Sequence, residues 1–142
     1  MTKMFVASTS VLALAVLSMG GISTSARADI TSTAIPPSVL VFDQKLQDDQ
    51  VLVKYANLQK DGYVVIFGSD KDGKPLKEAI GHVELKAGDH RDVMVKVGPV
   101  APLTPLWASI HSDSDAKPGF DKAADATIWR DGLPLGNRFV IR

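Results

Sequence analysis

The chain has 142 residues, with 16 basic and 16 acidic side chains and no cysteine. Lack of Cys excludes a disulfide framework and a lipid-modified amino-terminal Cys, so the protein must hold itself together by its core alone. Balanced charge offers no electrostatic drive toward nucleic acid or an anionic membrane.

First in chain order comes a secretory signal. Lys3 supplies the positive start, an apolar run extends from Met4 to Met19, and Ala26-Arg27-Ala28 forms a small-x-small cleavage site that makes Asp29 the first mature residue. Ser18, Gly20 and Gly21 interrupt the run before it reaches the roughly 20 apolar residues of a spanning helix. A cleaved helical signal peptide over residues 1–28 is therefore expected, with no retained membrane anchor and a periplasmic or secreted mature protein. Lys3 and Arg27 leave with the signal, so the remaining 114 residues carry 14 basic and 16 acidic side chains. That length suits one core and is too short for two domains.

Residues 29–38, Asp-Ile-Thr-Ser-Thr-Ala-Ile-Pro-Pro-Ser, are polar, Pro-rich and without periodicity, which predicts a flexible leader. A single domain is expected over residues 39–142. Within it apolar residues recur at every second position in short runs, and no window sustains the spacing of an amphipathic helix. The alternation predicts strands at Val39 to Asp43, Gln50 to Leu58, Tyr63 to Ser69, Ala79 to Leu85, His90 to Val97, Leu106 to Ser112 and Arg138 to Ile141. Gly-containing turns at Lys60-Asp61-Gly62, Asp72-Gly73, Ala87-Gly88-Asp89 and Arg130-Asp131-Gly132 separate them, and Gly98 to Pro105 is a Pro-rich crossing. About seven short strands at this spacing predict an all-β, immunoglobulin-like antiparallel sandwich, alike in architecture only, since the Cys pair is missing. One buried face is expected from Val51, Val53 and Tyr55, another from Val93, Val95 and Val97, and a third from Ala108 and Ile110. Tyr63 to Phe67 is apolar on both faces, which predicts a central strand covered on both sides.

The motif order Asp43-Gln44, Asp61-Gly62-Tyr63-Val64-Val65-Ile66, Ile80-Gly81, Leu85-x-x-Gly88-x-His90, Val93-x-Val95, Leu106-x-Ala108-x-Ile110-His111-x-Asp113, Phe120-Asp121 and Gly132-x-Pro134 resembles a family of secreted β-sandwich domains of unknown function, found in haloarchaeal surface proteins and proteobacterial exported proteins. The resemblance runs from about Val39 to the end. It implies fold and location and brings no activity or functional residues.

Several constellations carry possible chemistry. If Ala87-Gly88-Asp89 closes a hairpin, Val83 pairs with Val93 and His82 stands opposite Met94, with His90 and Asp92 on the same face. His82, His90 and Met94 together would suit copper, through imidazole and thioether ligands. Asp113, Asp115, Asp121 and Asp125 cluster in one loop and would suit calcium, although Lys117 and Lys122 oppose the charge. Asp70-x-Asp72-Gly73 is a turn rather than a calcium loop. Ser109, His111 and Asp113 alternate along one strand like a hydrolase triad, but their spacing of about 6 to 7 Å argues against direct hydrogen bonds. Trp107 and Trp129 either cap the sandwich or form an exposed aromatic pair for a glycan or protein partner. The expectation is an exported, non-catalytic binding or structural domain without a cofactor, partnered by protein or glycan in the cell envelope. A periplasmic copper or calcium domain is the alternative.

Overall fold

The computed structural model describes residues 35–142; the expected signal peptide, its Ala28/Asp29 cleavage site and most of the leader lie outside the described residues. Ten strands and no helix occur in the described part. They are β1 (Ser38–Leu40), β2 (Gln50–Leu58), β3 (Gly62–Ser69), β4 (Pro75–Leu85), β5 (Gly88–Lys96), β6 (Pro105–Ser112), β7 (Ala126–Thr127), β8 (Trp129–Arg130), β9 (Leu133–Pro134) and β10 (Gly136–Val140). All seven expected strands are present, and the short β7, β8 and β9 are additional.

The strands form two main antiparallel sheets, one ordered β1-β2-β5 and the other β10-β6-β3-β4, with β7 prolonging the pairing to β6. Alternation turns one face of each inward, where Val51, Val53 and Val95 meet Val64, Ile66, Ala108, Ile110 and Phe139 in a continuous core. Asn137 closes one side of the sandwich by accepting a hydrogen bond from the Val41 amide through Oδ1. Asp43 accepts from the Val140 amide at 2.9 Å on the same side.

The inward face of β2 changes hands along its length. Val51 and Val53 are in the core, but Ala56 and Leu58, rather than Tyr55, continue it. The ladder to β5 skips from Val53↔Val93 to Tyr55↔Arg91, and Asp92 opposite the gap has φ of 52°, a left-handed kink that rotates both strands. Tyr55 therefore turns to the rim, where its hydroxyl donates to Asp89 at 2.6 Å.

β4 and β5 follow one another in the chain but belong to different sheets. β4 pairs with β3 (Val83↔Val64, His82↔Val65) and β5 pairs with β2 (Val93↔Val53, Met94↔Leu52). The hairpin register that would set Val83 against Val93 and His82 against Met94 is thus not formed. Gly81 marks where the two edges approach, since a β-carbon there would collide with the Lys96 carbonyl oxygen and crowd Val97.

The central position of β3 is as expected. It lies between β4 and β6, and its residues from Gly62 to Gly68 are all buried. Val64 and Ile66 face the sandwich core; Tyr63, Val65 and Phe67 point outward into a second cluster with Ala79, Trp107 and Phe120.

Candidate functional site

The outer face of the β10-β6-β3-β4 sheet needs a cover, because Tyr63, Val65 and Phe67 leave it apolar. Part of the cover is the loop of residues 113–125. Tyr63 pins it by donating from Oη to the carbonyls of Gly119 and Lys117, 3.1 and 3.3 Å away. Phe120 then meets the Tyr63 ring edge-on, centroids 5.7 Å apart, and the His111 imidazole in the same way at 4.9 Å.

The rest of the face stays open as a groove of about 500 Å³, a normal size for a small-ligand site. Its walls are Phe67, Leu76, Trp107, Trp129, Leu133 and Pro134. Trp129 and Leu133 come from the β8–β9 hairpin, whose two-residue turn Asp131-Gly132 has φ of 51° and 77°, the mirror-image turn that suits strand twist. Trp107 is held on the opposite wall by its indole N–H, which donates to the Gly73 carbonyl at 3.0 Å. That carbonyl belongs to the Asp70–Lys74 turn, where Asp70 accepts from the amides of Asp72 and Lys74. The acidic pair there serves a β-turn, as expected. Trp129 and Leu133 are 62% and 69% exposed, so Trp129 caps no core.

Ser109 and His111 form the polar floor. Ser109 Oγ and His111 Nε2 are 3.1 Å apart, and His111 Nδ1 is 3.2 Å from the Asp125 carbonyl oxygen. A carbonyl only accepts, so Nδ1 carries the proton and Nε2 accepts from the Ser109 hydroxyl. The expectation that alternate residues on one strand lie beyond hydrogen-bond reach is corrected here: the imidazole bridges the gap between the two β-carbons. The third partner is the backbone of Asp125 and not the carboxylate of Asp113. Burial pushes the His111 pKa below its ordinary value; Lys122 acts in the same direction, while the Asp125 carbonyl and carboxylate oppose it. Ser109 sits mid-strand between Val65 and Gly136, on the extended backbone of a paired ladder and not on the sharp turn that exposes a serine nucleophile.

Two lysines stand at the rim. Lys122 donates from Nζ to the Lys77 carbonyl and lies over the Phe67 ring, 5.2 Å from its centroid. Neither Lys77 nor Lys122 is in an ion pair among the described residues. Glu78 and Asp121 line a neighbouring hollow that shares Lys77 and Lys122, and among the described residues the groove itself has no acidic one.

Asp113, Asp115 and Asp125 each bring a carboxylate oxygen within 4.8 Å of the others. Asp121 is not in that group; its Oδ1 accepts from the Ala123 amide at 2.8 Å. The buried Asp125 accepts from the amides of Ser114 and Asp121, one at each oxygen. Asp113 accepts from the Ala116 amide and Asp115 from that of Lys117, so the carboxylates act as the loop's own hydrogen-bond acceptors.

The copper set is not brought together. His82 lies on the outer face of the β10-β6-β3-β4 sheet against Tyr63 and Phe120, with ring centroids 6.1 and 5.9 Å away. Met94 is paired to Leu52 in the other sheet, and His90 is paired to Ala56, with its Nε2 2.7 Å from the Lys86 carbonyl.

Fold and groove together define an all-β sandwich with an aromatic cleft on the outer face of one sheet. No curated protein and no solved structure matches the chain. A family model does: the chain belongs to the family described as Domain of unknown function (DUF7282), which it matches over residues 37–139.

Proposed function

We propose that the protein is exported and acts in the periplasm or cell envelope as a non-catalytic binding domain, with the groove beside the β8–β9 hairpin as its contact surface. Export is supported by the order of Lys3, the apolar run and Ala26-Arg27-Ala28. The observation that carries binding is the exposure of Leu76, Trp129 and Leu133 around one concavity, since a monomer rarely leaves large apolar side chains clustered without a use for them. Of the expected partners, protein or glycan, the glycan fits less well, and the walls call for an apolar group whatever molecule presents it. A sugar stacked on an aromatic ring is most often held by amide or carboxylate side chains, and the described residues of the lining include neither. Groove binding is preferred to cation binding at Asp113, Asp115 and Asp125 because backbone amides already bond both Asp125 oxygens and one oxygen each of Asp113 and Asp115.

The dye 1-anilinonaphthalene-8-sulfonate tests the groove. It should bind the native protein saturably, and the Trp129→Ser, Leu133→Ser double variant should lose that signal without a fall in melting temperature. An undiminished signal in a folded variant would overturn the assignment. For export, amino-terminal sequencing of extracytoplasmic protein should begin at Asp29; intact Met1 in the cytosol would reject it.

A further inference from the structure

The chemistry of the lining narrows the occupant. Seven apolar side chains, Pro75 among them, make the walls, so the body of a ligand must be apolar. Among the described residues the charged side chains of the lining are Lys77 and Lys122, both cationic, and neither has an acidic partner there. The imidazole at the floor is held neutral by burial, so it adds no charge of its own. Apolar walls beside an ammonium group lower the local dielectric and strengthen any ion pair formed there. Lys122 is tethered at the rim through the Lys77 carbonyl and the Phe67 ring, which holds Nζ close to the apolar surface.

Resting on the groove as the binding surface, we propose that its ligand is a small amphipathic carboxylate, with an aliphatic or aromatic body against Trp107, Trp129 and Leu133 and its carboxylate paired to Lys122. Ser109 supports this division of the site. Its proton is committed to His111 Nε2, so at that point of the floor only acceptor lone pairs face the groove, which disfavours an anion there. The negative end of a ligand is thereby directed to the rim.

Decanoate and decanol share one apolar body and differ in charge. Trp107 and Trp129 are the only tryptophans in the chain and both line the groove, so intrinsic emission reports occupancy directly. Titrating the full chain below the micelle concentration should show saturable binding of decanoate at least about tenfold tighter than that of decanol, the size of one charge-assisted contact. Lys122→Met should bring decanoate to the level of decanol and leave decanol unchanged, and Lys122→Arg should retain the preference. Added salt should weaken the acid and spare the alcohol. Equal affinity of acid and alcohol in the native protein would overturn the carboxylate assignment and leave the groove assignment standing. No response to either ligand would overturn both. Decanoate binding that is indifferent to salt in the native protein would reject the ion pair even if Lys122→Met failed to fold.

Discussion

The ring of Phe120 meets the imidazole of His111 edge-on, with centroids 4.9 Å apart and planes at 76°. The contact joins the 113–125 loop to the outer face of β6, and it seals a buried histidine whose two ring nitrogens are already engaged by Ser109 and Asp125. Loop position, histidine charge and groove floor are therefore coupled.

Acid should loosen this region. The folded-state pKa of His111 lies below its unfolded value of about 6.5, so the folded protein binds fewer protons there than the unfolded chain. Its contribution is fully present above that unfolded value and begins to fall as pH drops through it. The loss is complete once pH is below the folded pKa. Melting temperatures measured from pH 8 to pH 5 should decline, and His111→Gln, though less stable at pH 8, should show a flatter profile. Parallel profiles for the two proteins would show that His111 is not the titrating group.

Tyr63→Phe keeps the edge-to-face contact with Phe120 and removes only the hydroxyl that holds the Lys117 and Gly119 carbonyls. The expected cost is about 1 kcal/mol in urea unfolding, the net value of one buried hydrogen bond. Trypsin should cut faster at Lys122 in the variant, whereas Lys117 is shielded by the following Pro118. Identical cleavage rates would mean that the loop is held by other contacts.

Gly81→Ala should be among the most damaging small substitutions. Its β-carbon would meet the Lys96 carbonyl oxygen, a backbone atom that cannot turn aside as a side chain can. Separating the β4 and β5 edges to make room should cost about 2 kcal/mol or more. Wild-type stability in a denaturant titration would show that the edges are free to part.

Calcium in millimolar excess should leave the melting temperature unchanged. Both Asp125 oxygens and one oxygen each of Asp113 and Asp115 already accept backbone hydrogen bonds, so an ion would have to compete with contacts that build the loop. A rise of several degrees, abolished by Asp125→Asn, would instead assign the loop as a cation site.

How far the fold was legible follows from what alternation encodes. Period-two spacing located β2 at its observed ends and placed β3 in the middle of a sheet, because a strand apolar on both faces has to be covered twice. It misplaced Tyr55, since the kink at Asp92 is set by backbone torsion and leaves no trace in the pattern of apolar residues. The pairing of His82 with Met94 failed for another reason. A short turn says that two strands are consecutive, but not that they hydrogen-bond, and here each finds its partner across a different sheet. Strand geometry by itself argues against a Ser109–His111 bond, because it gives the separation of β-carbons and not the reach of an imidazole.

Strand identity, the turns, the all-β class and the Cys-free core were determined by the sequence itself, since each depends on neighbours a few residues apart. The groove was decided only by the tertiary structure. Phe67, Trp107, Trp129 and Leu133 are scattered across four strands, and long-range pairing brings them to one face where the loop stops short of covering them. Burial and exposure belong to the assembled sheets, so the same local alternation that hides Val65 leaves Trp129 in solvent.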